Sequence, residues 1–407
     1  CCVCVNFCGI EATVQNGVLR TIYPDAARAD YYNHGICPKG ASGMFNIYDP
    51  YRLKKPLKRT NPVKGMDQDP KWVEISWDEA FSTIADRLKK IKADNPSKLV
   101  MQWGHGKYLI GDNFTKAFGD AFGTPNKVHR TTTCEAARHV ADELTWGYHG
   151  FLPDLENTTL LLNFGANYHE GEQWSRWLDW ASANARDRGM RAVVIEPRLS
   201  NQAAKADQWI PVRPGKDVVL IMALAKLLID GGNIDEEFLI NYTNAPDLVT
   251  ADGKIAKTED GKASLVYDTV TKSFQPFKAG VKPALKGTWT VDGKTYQTAF
   301  QAYYGTLEPV TPEYAEEVAG VPAATVKELA AEIARHARIG ATMKVDGKDV
   351  RYRPVAVHTF RGMSAKEYGV QNWRSGIILE LLLGGVDAVG GMLLNHPYNH
   401  PEYLEAS

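Results

Sequence analysis

The chain has 407 residues, 44% of them hydrophobic, and its charges nearly cancel to a formal −1. That length supports more than one domain with a buried core, and the charge balance excludes a global field that would draw nucleic acid or an anionic membrane. The longest apolar runs, Val218 to Leu228 and Ile377 to Val386, are too short to span a bilayer and suit buried helices.

Five of the six cysteines fall within the first forty residues. Cys1, Cys4 and Cys8 stand as C-x2-C-x3-C, Cys37 follows in Cys37-Pro38-Lys39-Gly40, and Cys2 lies outside that frame. Three thiolates in one tight turn and a fourth folding back suit a 4Fe-4S cluster, in which each iron needs one sulfur donor. A structural zinc site and a disulfide framework are the alternatives. Zinc sites usually pair two C-x2-C knuckles, and disulfide frameworks belong to small secreted domains. The first residue is already a candidate ligand and no initiator Met precedes it, so the natural N-terminus is expected upstream and the compartment is not legible.

Glu11 to Tyr23 alternates around Asn16-Gly17, a hairpin signal. Lys39, two residues past the fourth thiol, is either a solvated surface lysine or a cation between the cluster and a second cofactor. Asp49 to Pro70 is basic, Pro-rich and aperiodic, and reads as a connecting arm. Ser76-Trp77-Asp78-Glu79 is a capping box opening an amphipathic helix closed by Asn95-Pro96. Leu99 to Trp103 reads as a buried strand, with the polar loop His105, Lys107 and Tyr108 beyond its end, where open α/β sheets place ligands.

Thr132 and Glu135 have capping-box spacing, which predicts Cys134 in the first turn of a helix running towards Leu144, where the helix dipole favours a thiolate. A buried core cysteine is the bland alternative. His129, Arg130 and Glu135 are its polar neighbours.

From Thr158 the pattern is doubly wound. Strands are expected at Thr159 to Asn163, Ala192 to Ile195 and Ile210 to Val212, with a helix from Trp174 to Ala185 and another from Asp217 to Ile229. The turn Asn163 to Asn167 after the first strand and the acid at the second tip, Glu196-Pro197-Arg198, suit a nucleotide-containing cofactor, although no G-x-G-x-x-G is present. Residues 250 to 310 read as an inserted, exposed excursion. Helices are expected at Pro312 to Ala319 and Ala323 to Ala337. Phe360-Arg361-Gly362-Met363-Ser364 and Gln371 to Arg374 then precede an apolar helix ending in Gly384-Gly385 and Gly390-Gly391, glycines that permit close backbone packing or close approach to a large ligand.

Taken in order, the C-x2-C-x3-C and CPKG cysteines, DPYRLKKPLKR, ISWDEA, NFGAN, EPR, RPGKD, RGMSAKEYGVQNWR and GGVDAVGGM resemble the catalytic subunit of the dimethyl sulfoxide reductase family of molybdopterin oxidoreductases, over essentially the whole chain. The resemblance implies a multi-domain α/β fold: a small β-rich iron-sulfur domain (1–60), an α/β pterin-binding domain carrying the metal ligand (61–150), a Rossmann-like guanine dinucleotide-binding domain with the insertion (151–345), and a return to the pterin-binding domain (346–407). The family's C-terminal β-barrel domain is not in this sequence.

It also implies a 4Fe-4S cluster on Cys1, Cys4, Cys8 and Cys37, and molybdenum or tungsten held by two pterin guanine dinucleotides and by Cys134, a soft donor suited to a sulfur-rich metal. Lys39 would link cluster and pterin. Asn163, Gly165 and Asn167 would cradle a pyrophosphate. Glu196 and Asp217 would accept from guanine N–H groups, and Arg198, Arg213 and Gly215 would meet phosphate. Gly362, Met363, Ser364 and Gln371 would line the other pterin. His129, Arg130 and His139, with His105, Lys107 and Tyr108, are candidates for the substrate funnel, each with an ordinary packing or surface role as the alternative.

The cysteine ligand resembles the branch of respiratory arsenate, thiosulfate and polysulfide reductases, so the expected function is oxygen-atom transfer or two-electron reduction of an inorganic oxyanion or sulfur compound. Electrons would pass through the cluster to or from an iron-sulfur partner subunit, with a membrane quinone-linked one behind it, and the resemblance favours folded export to the periplasm, with the cytoplasm as the alternative. The alternatives are a hydroxylase or dehydrogenase of an organic substrate such as an aromatic acyl-CoA, a non-redox hydratase, and a non-catalytic electron-transfer scaffold, since fold alone does not choose among them.

Overall fold

The fold is that of a computed structural model, which describes residues 1, 8–28, 35–104, 111–148, 150–172 and 175–394. Cys2, Cys4, His105, Lys107 and Tyr108 therefore lie outside the described residues. Two compact units divide the chain, residues 1–134 and 135–407.

In the first unit β1 (Ile10–Gln15) and β2 (Val18–Pro24) form the expected antiparallel hairpin. Asn16 and Gly17 turn it with φ of 50° and 75°, the paired positive dihedrals of a two-residue turn. The short helices α1 (Pro38–Ala41) and α2 (Gly43–Ile47) follow. The arm is irregular except for β3 (Leu57–Arg59), which pairs antiparallel with β4 (Trp72–Glu74); Pro56 stands just outside that ladder, where its missing N–H costs nothing. Ser76 Oγ accepts from Glu79 N at 3.1 Å and starts α3 (Trp77–Asp94), as the capping box predicts. β5 (Met101–Trp103), α4 (Gly111–Phe122) and β6 (Lys127–His129) make a unit whose two strands run parallel, and α5 (Thr131–Cys134) ends it.

The continuous helix expected from Thr132 to Leu144 is interrupted. Glu135 leaves the helical region at φ −142°, so Cys134 closes a single turn and α6 (Ala136–Thr145) starts afresh. The Glu135 carboxylate reaches forward to Arg138 at 3.2 Å and His139 at 3.4 Å, whereas a capping box would need it to reach back.

The second unit is built on a parallel sheet. Its strands are β8 (Leu160–Phe164), β9 (Arg191–Ile195), β10 (Gln208–Ile210) and β18 (Val355–Thr359), in the order β10-β9-β8-β18; the short β7 (Leu152–Pro153) precedes them. Every residue of β8 is buried, as a central parallel strand covered on both faces requires. The crossovers are α7 (Ser175–Asp187) and α8 (Asn201–Lys205), after which α9 (Asp217–Asp230) packs in the core with Leu220, Leu224 and Leu228. Chain order runs outward from β8 to β10 and returns to add β18 on the other flank of β8. The reversal creates a crevice at the C-terminal ends of β8 and β18, where such sheets place ligands.

After α10 (Glu236–Tyr242) comes the inserted lobe: β11 (Leu248–Thr250), β12 (Leu265–Asp268), β13 (Ser273–Pro276), β14 (Thr288–Val291) and β15 (Lys294–Thr298), all antiparallel. It ends sooner than the composition suggests. Thr298 Oγ1 accepts from Gln301 N at 3.0 Å and opens α11 (Ala299–Leu307), whose Phe300 and Leu307 belong to the main core. α12 (Pro312–Ala319) and α13 (Ala323–Ala337) occupy the expected positions. The hairpin β16 (Thr342–Val345) and β17 (Lys348–Arg351) leads into β18, α14 (Arg361–Ser364), α15 (Gly369–Leu382) and β19 (Met392–Leu393).

Candidate functional site

Three groups of candidate residues are brought together around the crevice of the second unit. Gly165 follows β8 at φ +59° and Gly362 follows β18, and Gly362 N donates to Gly165 O at 2.9 Å. A Cβ on Gly165 would stand 2.9 Å from Gly362 Cα, and one on Gly362 would stand 2.6 Å from Gly165 Cα. The two backbones touch because neither residue has a side chain. Around them, buried acceptors and a hydroxyl are left without a protein partner: Asn163 Oδ1, Asn167 Oδ1 and Ser364 Oγ. Buried polar atoms are normally satisfied, so this rim is built for polar groups that the chain itself does not supply.

The acids divide between the neighbouring strand tip and a helix start. Glu196, after β9, is buried, and burial raises its carboxyl above the usual range against the bond from Ser200 Oγ and the charge of Arg198. Asp217 opens α9, where burial pushes its carboxyl up to about 6 against a backbone hydrogen bond and the charge of Lys366, and its Oδ2 is unpartnered. Gly215, at φ +77°, leaves room there, since a Cβ on it would meet the Lys366 stem at 3.6 Å.

Other candidates are occupied differently. Arg198 is exposed and reaches Glu170 at 3.3 Å. Arg213 places its guanidinium on the Glu317 and Val318 carbonyls at the end of α12, which satisfies helix-terminal acceptors. Met363 N stands beside Gly165 but donates to Phe360 O at 2.9 Å, and its side chain is in the hydrophobic core. Gln371 is exposed on α15.

In the first unit Cys1, Cys8, Cys37 and Cys134 are free of disulfides. Cys1 N meets Cys8 O at 2.5 Å, and a Cβ on Gly40 would lie 3.2 Å from Cys1 Sγ, so the first thiol sits beside Cys8 and the turn that Cys37 opens. Cys4 lies outside the described residues, and among those described no three His, Cys, Asp or Glu side chains form a metal-sized group. Lys39 is exposed on α1. His129 ends β6, stacked obliquely on Trp103 at 5.6 Å between centroids, and Arg130 N donates to Trp103 O at 3.1 Å. His139 stands on α6 in the second unit against Glu135.

Several residues escaped the sequence reading. Glu170 gathers Asn167 at 2.5 Å, Asn201 and Arg198. His358, on β18 opposite Asn163, holds Glu172 at 2.7 Å with both side chains buried. Asp142 accepts from Trp373 Nε1 at 2.6 Å and lies 3.4 Å from Arg138; burial pushes it up to about 6 despite the Arg138 charge. The one sequence signal for this cluster is a histidine inside the apolar run Val355 to Thr359.

The molybdopterin oxidoreductase family model matches residues 52–345. A sulfite dehydrogenase chain from Allochromatium vinosum is 31% identical, covering 98% of this chain and 43% of that protein. The molybdopterin-containing subunit of arsenate respiratory reductase from Shewanella sp. strain ANA-3 is 28% identical over 96% of this chain and 40% of its own length. That of thiosulfate reductase from Salmonella typhimurium is 33% identical over 60% of this chain and 31% of its own length. The chain thus spans about two fifths of the length of the first two of these relatives. Acetylene hydratase from Pelobacter acetylenicus has the same fold, with a TM-score of 0.66 over 97% of this chain and 44% of that one, at 18% identity.

Proposed function

The chain belongs to the molybdopterin oxidoreductase family, and on that premise we propose that it is the cofactor-binding part of a catalytic subunit that reduces or oxidises an inorganic oxyanion or sulfur compound. Relatives named for sulfite, arsenate and thiosulfate support that substrate class. The observation that carries the reading is the contact of Gly165 with Gly362 at the sheet's reversal, rimmed by the unpartnered oxygens Asn163 Oδ1, Asn167 Oδ1 and Ser364 Oγ.

In this reading Asn163 Oδ1, Asn167 Oδ1 and Ser364 Oγ meet polar groups of the pterin dinucleotides, and Gly165 and Gly362, with Met363 beside them, let the cofactor approach the backbone closely. Asp217 and Glu196 take guanine N–H donors, and Lys366 adds a cation beside Gly215. Cys134 is the metal's protein ligand, and Cys1, Cys4, Cys8 and Cys37 hold a 4Fe-4S cluster with Lys39 between the two groups. When bound, the metal and its dithiolenes supply two-electron chemistry with oxygen-atom transfer; the residues of this chain orient that group and present His129, Arg130 and His139 to the substrate. An iron-sulfur subunit, with a membrane quinone-linked one behind it, is the electron partner, and the periplasm is the proposed compartment.

Metal analysis of the complete subunit, followed by turnover with arsenate, thiosulfate, tetrathionate and sulfite, tests this. Replacing Cys134 with Ala is expected to abolish turnover while iron content stays constant. Unchanged turnover would remove the catalytic assignment.

A further inference from the structure

A cavity of about 20 Å³ in the second unit is lined by Arg138, Asp142, Trp146, Phe151, Glu172 and His358 among others. That volume admits one water molecule. Among the buried polar atoms of this lining without a hydrogen-bond partner in the chain are His358 Nδ1 and Trp146 Nε1. Each sits on a side chain that is otherwise fixed: His358 Nε2 is held by Glu172 at 2.7 Å, and the Trp146 ring is stacked on Phe151 at 3.7 Å between centroids. Neither ring is therefore placed to turn towards a protein partner. An unsatisfied buried N–H or ring nitrogen is costly, and two beside a water-sized space have a common remedy.

We propose that this cavity is a built site for one ordered water, which accepts from Trp146 Nε1–H and completes the hydrogen bonding of His358 Nδ1. The water joins the C-cap of α6 to the end of β18. With Glu172 on the other side of the imidazole, it ties the β8–α7 loop, β18 and α6 into one polar chain, two residues before the Phe360–Ser364 segment that meets Gly165. His358 is then a positioning residue for that segment, and the water is the part of the device that packing alone would not reveal.

A double-mutant cycle on the full chain tests the bridge. Trp146→Phe removes the indole N–H and keeps the stacked ring. His358→Gln keeps an amide nitrogen for Glu172 and offers nothing at the Nδ1 position. Each single variant is expected to lower Tm by roughly 2–4 °C, and the double variant by clearly less than the sum, because one water serves both groups. Strictly additive losses would overturn the proposal, as would a crystal structure at atomic resolution with this cavity empty. Should His358→Gln not fold, the 15N resonance of His358 Nδ1 decides: it is displaced in Trp146→Phe if the water links the two rings, and an unmoved resonance refutes the link.

Discussion

The two units are stabilised by different means. In residues 135–407 the sheet strands and α9 bury most of the apolar side chains they carry, and Leu160, Leu162, Leu220 and Leu224 are wholly enclosed. In residues 1–134, Cys8 and Phe122 are the buried hydrophobic residues among those described, α3 buries none of its residues, and Trp77 and Phe81 are 60% and 62% exposed. Apolar burial is the dominant folding force, so the second unit carries its own source of stability and the first depends on something further. The cysteines near the start of the chain supply a candidate, because the proposed cluster on Cys1, Cys4, Cys8 and Cys37 would close a long loop and link binding to folding.

The largest effect expected from this contrast is on iron removal. Chelation of the proposed cluster should strip the first unit of protease protection while the second keeps its own, a loss on the order of 10 kcal/mol if it matches other structural metal sites. Equal protection of residues 1–134 with and without iron would erase the contrast. Within the second unit, Gly165→Ala or Gly362→Ala forces a Cβ into the opposite backbone and should cost about 2–3 kcal/mol in denaturant titrations, together with the retained pterin. A silent substitution would show that the approach of the two loops is incidental.

The pH dependence sharpens the same comparison. Burial raises Asp142 and Asp217 to about 6 and Glu380 to about 8. Each folded value lies above the unfolded one, so the contribution is complete below pH 4 and is lost as pH rises through 6 for the aspartates and towards 8 for Glu380. The second unit should be more stable near pH 5 than near pH 8 in the absence of ligand, and Asp217→Asn should flatten the profile between pH 4 and 6 by on the order of 2 kcal/mol. Thermal melts across that range read it, and a slope unaltered by the substitution contradicts the burial of Asp217. The smallest effect is assigned to Arg198→Ala: its exposed pair with Glu170 should change stability by less than about 1 kcal/mol, and a larger loss would make it part of the scaffold.

Much of the candidate site was legible because local rules sufficed. Asn16-Gly17, Ser76 with Glu79, and the apolar runs of β8 and β9 announce their own conformations, and Gly165 marks a turn that other residues resist. The failures share one cause. Glu135 has the spacing of a capping box, yet its carboxylate has Arg138 and His139 within reach and the helix breaks there. Where the Arg213 guanidinium rests is set in the same way by a distant partner, the end of α12 more than a hundred residues away in sequence.

Spacing and periodicity by themselves determined the parallel α/β plan, the hairpin, and which glycines and acids stand at strand ends, because each depends on neighbours a few residues apart, while the family came from the resemblance of motifs standing in order along the chain. Only the tertiary structure decided that Gly165 meets Gly362, that Asp217 is buried with its Oδ2 unpartnered, and that Glu172, His358 and Trp146 surround one water-sized space. Those are encounters between segments up to about two hundred residues apart, set by the sheet's strand order and by the fit of side chains in the interior, which no local pattern encodes.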